Sequence, residues 1–269
     1  MDTAATFDLS LQPPPDPYGA STRILSAEKD RMDLQFQQHT AALVQRAATA
    51  LGGMQGLRVL DVGSGYGALS GLFEQASGPM PAQVQLLDPN AALLALAAER
   101  ARTAGLPVRA LQGAIDDAVP PLLGDKTDLV VCSFAATHLR NLPRGLAAMA
   151  AALRPQGLLV LVDVDYLASL SAGCPALAQT LALVQAKLHV RDLSSALPGL
   201  ALQCGLIPAD GLPCGDWLHT IAGSEAVRQR GLPFVGHFHD DDPALQAWRR
   251  MGPDALLMLR RMAHVYRRI

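Results

Sequence analysis

Three glycines alternate in Gly63-Ser64-Gly65-Tyr66-Gly67, directly after the apolar run Leu57–Val62, and Asp61 stands two residues before the first of them. Glycine lets the chain turn sharply and lets a ligand approach the backbone closely. A helix opening behind such a loop offers free N–H groups and a partial positive charge, which suits a carboxylate or a phosphate. Read with Ala68, the same residues satisfy the dinucleotide pattern G-x-G-x-x-G/A, so a nicotinamide or flavin site stays an alternative. Against it stand Asp61, where a dinucleotide-binding strand is normally apolar, and the lack of any further dehydrogenase constellation downstream. Asp88 closes a second apolar run just before Pro89. Its carboxylate could accept two hydrogen bonds from a vicinal diol, or simply cap the next helix. His138 lies just past the fourth run, and Asp163, Asp165 and Tyr166 lie at the end of the fifth. His138 is the candidate general base, its plain alternative being a histidine packed at a helix start, and Asp163 is a second candidate. His237 and His239 precede three aspartates; a lid over a substrate pocket is one reading and a surface loop the other, with no metal assigned.

The elements that would position these residues repeat a strand, turn, helix rhythm. Leu57–Val62, Val84–Leu87, Val108–Leu111, Leu129–Cys132 and Leu158–Val164 are short apolar runs, and Ala68–Ser77, Ala91–Ala104 and Asn141–Leu153 between them have helical composition. Continuous apolar strands alternating with helices indicate a parallel sheet covered on both faces. The expectation is an α/β, Rossmann-like, mostly parallel sheet of seven strands in a single domain. Residues 1–50 would form an arm and a cap helix running from Ser26 to about Ala50. Residues 51–214 would form the core, with a helical insertion near 167–190. Residues 215–254 would be lid-like helices, and 255–269 the last core element, with helix or strand left open by the periodicity.

The whole chain narrows the function. Half of its 269 residues are hydrophobic, 17% are charged and the net charge is −2, a composition for a packed globular protein rather than a nucleic-acid binder with a basic face. Residues 1–16 lack a basic stretch followed by an apolar run, and the alanine- and leucine-rich segments are too short to span a bilayer. A cytoplasmic protein without membrane association is expected, and a homodimer is compatible with the sequence. Cys132, Cys174, Cys204 and Cys214 form no close pair and read as reduced thiols.

Asp61 through Gly67 resembles, position by position, the first motif of class I S-adenosylmethionine (SAM)-dependent methyltransferases, an acidic residue followed by x-G-x-G-x-G. Asp88 matches the acid that ends their second strand, and Gly113-Ala114-Ile115-Asp116-Asp117 the segment bordering the adenine, although Ala114 replaces a common acid there. Asp128–Leu139 is similar to their fourth motif. Leu153-Arg154-Pro155-Gln156-Gly157 is similar to L-[RK]-P-G-G, with Gln156 in place of one glycine. Tyr18 and Glu28–Gln35 resemble the preface of small-molecule, UbiE-like members. The resemblance implies SAM as cofactor and S-adenosylhomocysteine (SAH) as product. Asp88 and Pro89 would lie at the ribose, Ala114, Ile115 and Asp116 at the adenine, and Asp61, Gly63, Ser64, Gly65 and Ser133 along the cofactor. Tyr18 and Arg31 would lie near its carboxylate. Methyl would pass to an O, N or C atom of a small organic acceptor, in secondary metabolism, with Tyr166, His237 and His239 lining the acceptor pocket. A SAM-binding enzyme that transfers no methyl is the alternative. The [DNS]-P-P-[YFW] stretch of DNA base methyltransferases is absent after the fourth strand, where Ser133-Phe134-Ala135-Ala136 stands.

Overall fold

A computed structural model describes residues 22–74, 78–117, 124, 126–190, 192–223, 250 and 252–269. The sheet is built from β1 (Arg58–Val62), β2 (Gln83–Asp88), β3 (Val108–Gln112), β4 (Thr127–Ser133), β5 (Leu153–Ala172), β6 (Leu206–Pro208), β7 (Cys214–Ala222) and β8 (Leu256–Arg268). Its order is β3-β2-β1-β4-β5-β8-β6, with β7 also paired to β8. Strands β1 to β5 are parallel, whereas β8 runs antiparallel to β5, β6 and β7. The chain passes from β3 to the far side of β1 to lay down β4. That reversal opens a crevice at the carboxyl ends of β1 and β4, where open parallel sheets bind their ligands.

Each strand feeds both faces. Val59, Val84, Leu129, Val131, Val160 and Val162 pack beneath α1 (Thr22–His39), α2 (Ala41–Ala50) and α3 (Ala91–Thr103). Leu60, Val62, Val130, Leu159 and Leu161 pack beneath α4 (Leu142–Ala152) and α6 (Leu193–Gln203) on the other side. Burial on both faces is the reason these strands read as unbroken apolar runs. Asn90 starts α3 by accepting from the Ala92 and Leu93 N–H groups, and Asn141 starts α4 through Arg144 N–H. Among the described residues, no helix is long and apolar enough to cross a membrane.

Several expectations need correction. The described sheet has eight strands rather than seven. The stretch from residue 167, expected to be helical, first continues β5 as far as Ala172, and only then does α5 (Pro175–Lys187) begin. The lid helices expected from residue 215 begin instead as β7, while residues 224–249, with His237 and His239, lie outside the described residues. The tail, left open between helix and strand, is strand β8. The single cap helix is two helices broken at buried Thr40 (φ −113°), whose Oγ1 lies 2.8 Å from Ser133 Oγ. After the glycine loop the described residues make a 3-10 turn, Ala68–Leu72, where a helix to Ser77 was expected, and residues 75–77 lie outside the described residues.

The added strands form one unit. Beyond Val162 and its partner Ser133, β5 outruns β4 and pairs only with β8, which in turn holds β7. Val164, Tyr166, Ile221, Leu257 and Leu259 pack there against Leu177, Leu181 and Val184 of α5 as a separate small core. This extension projects past the carboxyl edge of the sheet, beside the crevice.

Candidate cofactor site

The loop after β1 is held by backbone geometry that needs glycine. Gly63, Gly65 and Gly67 adopt φ of 68°, 50° and 75°, in the left-handed region. A Cβ on Gly63 would lie 2.5 Å from Ala135 Cβ, so the loop presses against the exit of β4. Gly63 and Ser64 N–H groups donate to Leu87 O (2.8 and 3.1 Å), and Gly65 N–H donates to Asp88 Oδ2 (2.8 Å). The other oxygen of Asp88 accepts Asn90 N–H at 2.9 Å. Asp88 thus pins the first loop to the second. Each carboxylate oxygen carries two lone pairs, so the group keeps acceptor capacity for a ligand hydroxyl. Ser64 Oγ is buried without a hydrogen-bond partner, an orphaned polar atom at the mouth of the crevice that a polar ligand would satisfy.

An open cavity lies between this loop and the exit of β4. Asp61, Gly63 and Ser64 form one side, Ser133, Phe134, Thr137, His138, Asp163 and Tyr166 the other, and Arg31, Met32, Gln35 and Phe36 of α1 cover it. Met32 rests on the loop, its methyl 2.8 Å from where a Gly65 Cβ would stand. Arg31 Nη1 donates to Gln35 Oε1 at 2.9 Å. Salt bridges from Arg100 to Asp33 (2.6 Å) and to Glu74 fasten α1 to α3 and to the chain beyond the 3-10 turn.

Asp61 is buried within reach of the charge of Asp88. Burial, and then the charge of Asp88, raise the Asp61 carboxyl from 3.8 to about 7. A folded-state value above the unfolded one gives stability that is present below about pH 4 and lost as pH rises through 7. In Asp61→Asn, the melting temperature of the unliganded protein should therefore gain on wild type as pH goes from 5 to 8. A difference that stays constant over that range, by scanning fluorimetry, would show that Asp61 does not titrate there.

The remaining expected residues divide. Ile115 belongs to the core beneath α4, and Ala114 is half-buried beside it. Asp116 is buried, its Oδ2 accepting Asn141 N–H at 2.9 Å, so it ties the third loop to the start of α4. Pro89 is exposed. Asp163 is buried and accepts from Thr137 N–H (3.1 Å), Thr137 Oγ1 (3.2 Å) and Val164 N–H (2.8 Å). Burial raises its carboxyl to about 6 against those hydrogen bonds. It anchors the 3-10 turn Ala136–His138 that carries His138 into the cavity wall. Burial, with His189 nearby, lowers the His138 imidazole to about 4, so it is neutral at neutral pH. Asp165 holds Ala168 N–H and Ser194 rather than the cavity. Tyr18, like His237 and His239, lies outside the described residues.

Phe134, Met32 and Thr137 also line the cavity, inside stretches that the sequence matched only as whole motifs. Phe134 sits at φ 55°, an unusual conformation for an aromatic residue, and presents its ring to the cavity. Thr40, Met32 and Thr137 act through contacts between distant segments. Among the described residues, no cluster of three or more histidine, cysteine or acidic side chains could hold a metal.

A methyltransferase-domain family model matches residues 59–157. A ubiquinone biosynthesis O-methyltransferase of Rhodopseudomonas palustris (strain HaA2) is 28% identical over 121 residues, which is 45% of this chain and 45% of that protein. The match thus spans less than half the length of the curated relative. The YcgJ protein of Bacillus subtilis shares the fold with a TM-score of 0.59 at 18% identity, over 85% of this chain and 97% of that one. A methyltransferase-like structure from Bacillus halodurans gives 0.57 at 16% identity, over 83% and 97%. A [4+2]-cyclase, SpnF, gives 0.53 at 19% identity, over 87% and 83%. The segment 59–157 thus matches a methyltransferase domain, and the ordered motifs and the sheet order around it are similar to those of class I, Rossmann-like methyltransferases.

Proposed function

We propose that the chain transfers the methyl group of SAM to an O, N or C atom of a small organic acceptor, in secondary metabolism. The observation that carries this reading is the cavity itself, which runs from Asp61, Gly63 and Ser64 to Phe134, His138 and Tyr166 beneath α1. Bound SAM would supply a methyl group already activated on a sulfonium. The protein then has three tasks: to hold the acceptor in line, to exclude water and, for a hydroxyl acceptor, to take a proton. Asp88 and Ser64 would hold the cofactor's hydroxyls. Arg31 would face its carboxylate, and Met32 and Phe36 would keep water out. Neutral His138 would take the proton, positioned by Asp163 through Thr137. The match to a protein named for ubiquinone biosynthesis supports a small organic acceptor, as do the acidic balance and the enclosing helix.

The fold is shared with the [4+2]-cyclase SpnF, so fold alone does not assign methyl transfer. Calorimetry with SAM, SAH and NADPH, followed by mass spectrometry of phenolic, amine and carbon-acid acceptors, separates the readings. SAM and SAH should bind and NADPH should not, with one CH₂ of mass gained by an acceptor. His138→Ala should leave SAH affinity intact and lower turnover on a hydroxyl acceptor by about 10²-fold or more. NADPH binding without SAM binding sinks the reading. SAM dependence without any gain of mass assigns a non-methylating reaction.

A further inference from the structure

One wall of the cavity is backed by a buried cation that forms no ion pair among the described residues. Arg261 of β8 is 1% exposed and stands across from Val164 of β5 and Trp217 of β7. Its guanidinium carbon lies 5.7 Å from the centroid of the Phe134 ring, and that ring lines the cavity. Nε donates to His219 Nδ1 at 2.8 Å, which makes His219 the neutral tautomer with its proton on Nε2. Nη1 is buried without an acceptor. Among the described residues, no carboxylate lies within ion-pair distance of Arg261.

A second orphan stands beside it. His39, at the end of α1, lies 5.5 Å from the His219 ring and 6.4 Å from the Phe134 ring, centroid to centroid, and its Nε2 is buried without a partner. Burial, then Arg261 and His219, hold its imidazole down at about 4, so it adds no charge at neutral pH. Asp163, whose charge reaches Arg261 from a distance, is committed to Thr137 and Val164, and Arg31 contributes charge of the same sign as Arg261. An apolar side chain would pack against Phe134 without any cost of desolvation. A buried guanidinium that lacks a counter-ion and keeps an N–H open is a costly choice, and an incoming anion removes the cost.

We infer that Arg261, with His39, binds a carboxylate of the methyl acceptor at the Phe134 wall, so that the substrates are small organic acids. This rests on the cavity being the acceptor site of a methyltransferase. A carboxylate has two oxygens, one for Arg261 Nη1 and one for His39 Nε2, and the Phe134 ring near both suits the apolar body that carries the acid.

The test uses the full chain saturated with SAH. Aryl and alkyl carboxylates, each paired with its primary amide, and phenyl phosphate are titrated by calorimetry. At least one carboxylate should bind about tenfold or more tighter than its amide. That preference should collapse in Arg261→Met and survive in part in Arg261→Lys. His39→Phe, on a different element, should weaken it with Arg261 left in place. Arg261→Met without ligand should melt no lower than wild type, since it removes a buried charge that no described carboxylate pairs. Equal binding of every acid and amide overturns the inference, as does a preference that persists in Arg261→Met. An Arg261-dependent preference for phenyl phosphate over all the carboxylates overturns the assignment to organic acids. Loss in Arg261→Met of SAH affinity, but not of affinity for 5′-methylthioadenosine, which lacks the carboxylate, reassigns the site to the cofactor and likewise overturns it. Failure of wild type to bind SAH refutes the methyltransferase reading instead.

Discussion

Asp88→Ala should cost the protein most of its affinity for SAH, a loss of about 100-fold or more by calorimetry. Hydrogen bonds to a charged acceptor are each worth about 1.5–3 kcal/mol, and a ribose diol offers two. The substitution also releases Gly65 N–H and Asn90 N–H, which the two carboxylate oxygens now hold at 2.8 and 2.9 Å. The glycine loop would lose its tie to the second strand as well as its ligand acceptor. Asp88→Asn keeps the shape and one acceptor oxygen, and should fall between the two. A folded Asp88→Ala protein with wild-type SAH affinity would remove Asp88 from the site.

Gly67→Val should produce the largest loss of stability. Gly67 adopts φ 75°, and its missing Cβ would lie 2.9 Å from Ala97 Cα and 3.2 Å from Ala97 O, both backbone atoms of α3. A left-handed conformation costs an ordinary residue about 1–2 kcal/mol, and forcing α3 away adds about 1–3 kcal/mol. At this chain length the sum corresponds to a fall in melting temperature of roughly 5–15 °C. Gly52→Ala is the control, because its φ is 97° but nothing lies within 4 Å of the added carbon, so it pays only for conformation. Equal losses in the two variants would mean that the contact with α3 is slack.

The half of the molecule that carries the glycine loop was legible because its physics is local. Strands such as Leu129–Cys132 are buried on both faces and cannot tolerate polar interruptions, so they stand out as runs. Asp61 and Asp88 stand out because an acid at the end of such a run needs a reason. The strand extension was not legible. In β7 most side chains between Cys214 and Ala222 are exposed or half-exposed, so Cys-Gly-Asp-Trp-Leu-His-Thr-Ile-Ala shows no apolar alternation. The break at Thr40 arises beside a contact with Ser133, ninety-three residues away, which no window of sequence can display. Arg261 sits in Leu259-Arg260-Arg261-Met262, where nothing local distinguishes one arginine from the other. Only the pairing with Val164 and Trp217, and the ring of Phe134, bury the second of them.

That extension also gives the protein a seam. The segment that matches the family ends at residue 157, whereas Tyr166, His219 and Arg261 all belong to strands that project beyond the sheet and share their own small core with α5. The glycine loop and the strands that back the Phe134 wall are therefore written in different parts of the chain and stabilised by different packing. Descendants of this scaffold can exchange one without rebuilding the other, and diversity among them should collect on the projecting strands while the loop from Asp61 to Asp88 stays as it is.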